Sequence, residues 1–216
     1  SIPAFLFNLS SSRSRCCECL SAAASQPAQP RALEALRFKI NALMERTVKL
    51  HQKEFDVLPE SWGKLSDAHG VVTAVTSALQ QYPDLDRMSA PHLEEFLTDS
   101  PLMNWQTDEI RKSDKRTDYY IKAIAWHKIG KAREACRELH IYLRKNGIFI
   151  PEPTKSKFLE MDKLLFDALV EHEINQQTQT IPRLRESEKK LAERGEPLLK
   201  DLEREVQDRL WNSGKV

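Results

Sequence analysis

Cys136 and His140 are the two residues best placed to act together, because a spacing of four puts both side chains on one face of a helix. A thiol and an imidazole are common metal ligands, but a metal site needs further ligands. His127 precedes Cys136 by nine residues, about half a helical turn out of phase. We therefore expect Cys136 and His140 to be buried structural residues, and we predict no bound metal or other cofactor.

Two arginine–histidine pairs raise the alternative of phosphodiester cleavage. Arg46 precedes His51 by five residues, and Arg133 precedes His140 by seven. Some helical ribonucleases carry an arginine followed shortly by a histidine. The histidine would act as general acid and base while the arginine stabilises a phosphorane. Such pairs arise by chance in a chain with six histidines, so a helical ribonuclease is an alternative hypothesis only.

Other catalytic motifs are missing from the sequence. His172 lies between two glutamates, but the second histidine that a zinc protease needs four residues on does not follow. There is no Glu-x-x-His, the pattern of di-iron carboxylate bundles. There is also no Gly-rich nucleotide loop and no Gly-x-Ser-x-Gly. We therefore favour a protein that is not an enzyme.

A basic patch raises a second alternative, nucleic-acid binding. It comprises Arg111, Lys112, Lys115 and Arg116, and it is followed by Tyr119, Tyr120 and Trp126 among further lysines. Phosphate contacts and base stacking together would suit such a surface. However, the chain has 33 basic and 32 acidic residues, a net charge of +1, which does not favour a large electropositive face. The simpler interpretation is a solvated helix face whose aromatic rings point inward.

A long helix over 114–146 must position the residues discussed above. The stretch has no proline and one glycine, and it stops at Gly147. Its apolar residues cover a broad arc, which is typical of a helix covered by more than one neighbour. Because no β-like pair of segments exists, we predict an all-α antiparallel bundle in which this central helix is covered by helices at 59–81 and 154–180.

Two terminal helices, at 31–57 and 183–211, complete the predicted bundle, packed along it or extended together. In the first, residues recur at spacings of three and four over nearly three heptads: Leu33, Leu36, Ile40, Leu43, Thr47 and Leu50. This is the pattern of a coiled-coil helix lying along a partner, either within the same chain or in a second copy. The second helix is charged, with favourable i,i+4 pairs at Glu186–Lys190, Glu196–Lys200 and Glu205–Arg209.

Prolines and capping residues indicate where the helices start. Pro59 suits the first turn of a helix, because its missing N–H is not needed there. Ser89 before Pro91, and Ser100 before Pro101, predict the starts of two short helices. Asp84 and Asp86 are predicted to be turn and capping residues and not a metal pair.

Residues 1–30 differ in composition from the rest, being rich in serine and alanine. We expect a disordered leader or a targeting-like segment. Cys16, Cys17 and Cys19 could bind a soft metal, but no fourth ligand follows at zinc-site spacing. The cysteines do not form a disulfide framework, so a reducing, cytoplasmic location is expected. The alternatives are an organelle-targeted protein and one tethered to a membrane by a segment preceding Ser1.

The sequence thus predicts four segments: 1–30, the heptad-patterned helix 31–58, a bundle core 59–182 and a charged helix 183–216. We expect a non-enzymatic interaction or scaffold module with a protein partner, in its simplest form a homo-oligomer. The predicted interface residues are Leu33, Leu36, Ile40, Leu43 and Leu50.

Overall fold

The computed structural model describes residues 28–178 and 182–211. The predictions for a leader segment and for Cys16, Cys17 and Cys19 lie outside these residues. The described residues are almost entirely helical and contain no strand, which confirms the all-α fold. The helices are α1 Ala28–Thr76, α2 Ala90–Asp99, α3 Asn104–Lys112, α4 Arg116–Asn146, α5 Glu152–Thr178, α6 Glu186–Lys190 and α7 Glu196–Trp211. A π-helical turn, Leu191–Gly195, joins α6 to α7.

The described part of the chain falls into two units, which meet between Lys49 and Leu50. In the second unit, α4 contributes to two apolar clusters. Its first half packs against α2 and α3, where Leu93, Ile110 and Ile124 are buried. Its second half packs with α5, α7 and the last turns of α1, around Leu65, Leu139 and Phe158. The prediction of a central helix covered by several neighbours is confirmed.

The predicted helix break at Pro59 is wrong. Helix α1 runs through Pro59 and ends at Thr76, short of the predicted end at residue 81. A proline inside a helix removes its own N–H, which would have bonded to the carbonyl of Phe55. Phe55 is exposed, so water can hydrogen-bond to that carbonyl instead.

The two short helices start in different ways. Ser89 is the N-cap residue of α2 and Pro91 lies in its first turn, as predicted. The predicted start of the second helix at Pro101 is wrong, because α3 begins at Asn104. The side-chain oxygen of Gln106 accepts the Met103 backbone N–H at 3.0 Å. This cap satisfies the backbone N–H of Met103, so the helix starts three residues after Pro101.

Asp84 and Asp86 are turn and capping residues, as predicted. Asp84 accepts the backbone N–H of Asp86 at 3.2 Å, within a 3₁₀ turn. Asp86 accepts the Arg116 backbone N–H at 2.9 Å, at the start of α4. The hydroxyl of Thr117 accepts the Leu85 backbone N–H in return, at 2.9 Å. Carboxylates are favoured at helix N-termini, where backbone N–H groups lack partners within the helix.

Candidate functional site

A groove between α4 and α5 contains several of the predicted site residues. It has a volume of about 480 Å³. It is lined by Arg133, Cys136, Arg137 and His140 from α4, and by Asp162, Lys163, Phe166 and Leu169 from α5. The α4 residues recur at spacings of three and four, so they share one face of the helix. The structure thus brings Arg133 and His140 to one surface, as the ribonuclease alternative requires.

His140 and Asp162 form the polar centre of this groove. Nδ1 of His140 lies 2.7 Å from Oδ2 of Asp162. The Asp162 side chain is 12% exposed and that of His140 is 56% exposed. The expectation that His140 is buried is therefore wrong, because Asp162 holds the imidazole at the open side of the groove. A carboxylate in this position orients an imidazole ring and fixes its tautomer.

Cys136 is buried, as predicted, and its environment suppresses its reactivity. Burial, together with the nearby negative charge of Asp162, raises the pKa of the Cys136 thiol to about 11. The thiolate is the nucleophilic form of cysteine. At neutral pH the Cys136 side chain is therefore a small apolar group and not a nucleophile.

Acidic partners neutralise both arginines of the groove. Arg133 pairs with Glu173 of α5, and this contact raises the pKa of the Arg133 guanidinium. Arg137 makes two hydrogen bonds to Glu134, at 2.6 and 3.0 Å. A phosphate group entering the groove would therefore compete with two carboxylates for these guanidinium groups.

The second arginine–histidine pair lies on α1. Arg46 and His51 are both exposed. His51 Nδ1 lies 3.4 Å from Oε2 of Glu54. Neither residue lines the groove between α4 and α5.

The basic patch at 111–116 is partly neutralised. Arg111 makes a forked contact with Glu94, with distances of 2.9 to 3.1 Å, and also pairs with Asp108 at 2.7 Å. The Tyr120 ring is buried and packs edge-to-face on Phe96, with ring centroids 5.2 Å apart. Trp126, in contrast, is exposed. Of the predicted stacking residues, Tyr120 thus belongs to the core.

Among the described residues, no three side chains of the metal-binding types His, Cys, Asp and Glu are grouped closely enough to hold an ion. No helix in residues 28–178 and 182–211 combines the length and the apolar character needed to cross a bilayer.

A second candidate site is the heptad pattern of α1. Every side chain from residue 32 to residue 50 is exposed. The apolar residues of the pattern are 46% to 62% exposed: Leu33, Leu36, Ile40, Leu43 and Leu50. Residues Leu33, Leu36, Ile40, Leu43 and Thr47, which all lie in the first unit, are called the seam below.

The polar residue of the seam is satisfied within its own helix. The Thr47 hydroxyl donates to the Leu43 carbonyl at 2.9 Å. Its methyl group can therefore enter an apolar interface without leaving a polar group unpaired. Glu45 and Lys49 form an ion pair at 2.6 Å on the other side of the helix.

No family model, curated protein or solved structure matches this chain.

The sequence did not reveal Asp162 as a site residue, because it lies 22 positions from His140. One signal was present. Asp162 directly follows Met161 on the apolar face of the predicted helix 154–180, where a carboxylate needs a partner. His140, on the facing helix, supplies it.

Proposed function

We propose that the protein is a non-enzymatic helical interaction module that binds a partner helix along the seam. The observation that carries this proposal is the exposure of Leu33, Leu36, Ile40 and Leu43 at heptad spacing. Contiguous exposed apolar surface is uncommon on soluble domains and marks interaction sites. A two-stranded coiled coil would bury these side chains as knobs in the holes of a second helix.

Two kinds of partner fit the seam: a second copy of this chain, as in a homo-oligomer, or a different helix. Both predict that the seam residues carry the binding energy. Both also predict that the fold of residues 50–216 survives the loss of seam residues, because Ile40 and Leu43 are exposed. The same experiment therefore tests the interaction function in either form.

The test uses the full chain and the variant Ile40→Asp/Leu43→Asp. Light scattering over about a hundredfold range of concentration measures self-association. Titration with a synthetic helical peptide of about four heptads, with apolar a and d positions and Gln at every e and g, measures binding of a different helix. A dimer or peptide complex that the variant loses, with unchanged circular dichroism, supports the proposal.

The matched control is Asn41→Asp/Val48→Asp, which adds the same two aspartates to exposed positions of α1 outside the seam. We expect this control to associate like the wild type. A wild-type protein that neither dimerises nor binds such a helical peptide, whatever the charge at its e and g positions, would overturn the proposal. Equal binding by Ile40→Asp/Leu43→Asp and the wild type would overturn it as well.

A second candidate function is phosphodiester cleavage in the groove between α4 and α5. One observation favours it: Asp162 orients His140 in a groove that Arg133 also lines. His140 would transfer the proton and Arg133 would stabilise charge on the phosphorane. Cleavage of single-stranded RNA that His140→Ala abolishes, and that His92→Ala leaves intact, would support this function. No cleavage by the wild type would exclude it.

A further inference from the structure

We infer that the partner bound along the seam is an acidic amphipathic helix and not a second copy of this chain. This inference rests on the proposed interaction function and specifies the chemical class of its partner. The evidence is the charge of the residues that flank the seam. In a coiled coil these are the e and g positions, whose charges set partner choice and orientation.

The seam residues define the heptad. With Leu33, Ile40 and Thr47 at position a, and Leu36 and Leu43 at position d, the flanking residues of the first unit follow directly. The e positions are Arg37 and Met44, and the g positions are Ala32, Lys39 and Arg46. No acidic residue occupies any of these five positions. Arg37, Lys39 and Arg46 are exposed, and the described residues supply no ion pair to any of them.

The acidic residues of this segment lie elsewhere. Glu34 falls at position b and Glu45 at position f, both away from the seam. Glu45 is already paired with Lys49. A partner helix on the seam would therefore meet three cations and two neutral side chains, Ala32 and Met44, but no carboxylate.

A second copy of the chain cannot complement this pattern. In a parallel pair, each g residue faces the e residue of the following heptad in the partner. Lys39 would then face Met44, and Ala32 would face Arg37. In an antiparallel pair, g residues face g residues, so Lys39 and Arg46 would each face another cation. The parallel pair therefore leaves Arg37 and Lys39 without an acidic partner, and the antiparallel pair brings like charges together, which opposes association. Glu or Asp at the e and g positions of a partner helix would instead pair with all three cations.

An anionic membrane is the other partner that a basic amphipathic helix suits. The position of Phe38 argues against it. A helix lying in the bilayer interface places its aromatic residues on the apolar face. Phe38 is 76% exposed but occupies position f, on the side opposite the seam. The apolar residues of the seam instead follow the narrow 3.5-residue repeat of helix pairing.

The test titrates the full chain with three synthetic peptides of about four heptads. They share apolar a and d positions and differ only in carrying Glu, Gln or Lys at every e and g position. We expect the Glu peptide to bind at least about tenfold more tightly than the Gln peptide, and the Lys peptide not to bind. Raising NaCl from about 0.05 M to about 0.5 M should remove the advantage of the Glu peptide.

The decisive variant is Arg37→Glu/Lys39→Glu/Arg46→Glu, which should lose the Glu peptide and bind the Lys peptide. Its matched control is Lys112→Glu/Lys115→Glu/Lys122→Glu, which changes the net charge equally at exposed positions outside the seam. We expect the control to keep the preference for the Glu peptide. An equal loss of preference in both variants would show an effect of net charge alone and overturn the inference.

The other outcomes separate this inference from the proposed function. A stable wild-type dimer, or equal binding of the Glu and Lys peptides, would overturn the acidic partner but leave the seam as an interface. If vesicles containing phosphatidylserine bind in a seam-dependent way while no peptide binds, the partner is a membrane and the inference is wrong. Failure of every peptide, without self-association, would overturn the interaction function itself.

Discussion

Nδ1 of His140 lies 2.7 Å from Oδ2 of Asp162, so one hydrogen bond joins α4 to α5 inside the groove. Replacing His140 with leucine would leave the nearly buried Asp162 carboxylate without this partner. We expect His140→Leu to lower the free energy of unfolding by about 1 to 3 kcal/mol, the cost of a buried polar group losing its hydrogen bond. Urea unfolding followed by circular dichroism measures the change.

The control for this prediction is His92→Leu, at an exposed position of α2. Its effect should be within about 0.5 kcal/mol of zero, as for ordinary surface substitutions. Equal effects of the two substitutions would show that the His140–Asp162 contact does not stabilise the fold.

Glu171 of α5 caps the start of α6. Its carboxylate accepts the backbone N–H groups of Ser187 and Glu188 at 2.9 and 3.1 Å. Because Glu171 is buried, these bonds are shielded from water. We expect Glu171→Ala to lower the free energy of unfolding by about 1 kcal/mol, the usual cost of losing a helix cap. Glu203→Ala, at an exposed position of α7, is the matched control, and a loss of the same size there would contradict the prediction.

The Cys136 thiol should react slowly in the folded protein. With a pKa of about 11, roughly one thiol in a thousand is ionised at pH 8. We expect the rate of alkylation by iodoacetamide to rise about tenfold per pH unit up to about pH 10, and to be at least about a hundredfold higher in denaturant. The measurement is mass spectrometry of Cys16→Ser/Cys17→Ser/Cys19→Ser, in which Cys136 is the remaining cysteine.

The raised pKa of the Cys136 thiol also affects the stability of the protein at alkaline pH. The folded protein holds the Cys136 proton more tightly than the unfolded chain, whose thiol ionises near its ordinary pKa of 9.0. The free energy of unfolding should therefore fall as the pH rises from about 9 towards 11. Cys136→Ala should remove this part of the alkaline decline. A folded protein alkylated as fast as the unfolded chain would contradict both expectations.

Local patterns in the sequence predicted the helices well but not their partners. The extent of α4 and the burial of Cys136 follow from apolar spacing, which depends on nearby residues. The Glu205–Arg209 pair shows where this fails. In the structure Glu205 pairs with Lys157 and Arg209 pairs with Glu54 at 2.8 Å. The packing of the helices brings these distant groups into contact in place of the predicted i,i+4 pair. Local sequence spacing does not encode that packing.

The exposure of the seam is a different kind of result. The heptad pattern predicts a partner for Leu36 and Leu43 but does not say whether that partner is in the same chain. That choice depends on how the helices of the whole fold pack, which a local spacing does not encode. Asp162 could not be predicted as a site residue because it contacts His140 only when α5 packs against α4.

Lys157 links α5 to α7 through Asp201 and Glu205. The hydrogen bond from Lys157 holds the pKa of Asp201 below its ordinary value of 3.8. A lowered carboxyl pKa contributes stability that is present above the ordinary value and is lost as the pH falls through the folded value. We expect Asp201→Asn to flatten the loss of stability below about pH 4. Asp99→Asn, at an exposed position of α2, is the control and should leave the loss of stability at low pH unchanged. If Asp201→Asn also leaves it unchanged, the pKa of Asp201 does not contribute to acid stability.

Ser61 lies in the core of residues 50–216, and its fully buried hydroxyl has no hydrogen-bond partner among the described residues. An unpaired buried hydroxyl destabilises a fold, and alanine also has the higher helix propensity, by about 0.5 kcal/mol. We therefore expect Ser61→Ala to raise the free energy of unfolding by about 1 to 2 kcal/mol. Ser66→Ala, on an exposed face of the same helix, is the control. Its free energy of unfolding should rise only by the gain in helix propensity. Because the two substitutions share a helix and a residue type, the difference between them isolates the cost of the unpaired hydroxyl. A Ser61→Ala protein no more stable than Ser66→Ala would show that the hydroxyl is satisfied in solution, for example by a buried water.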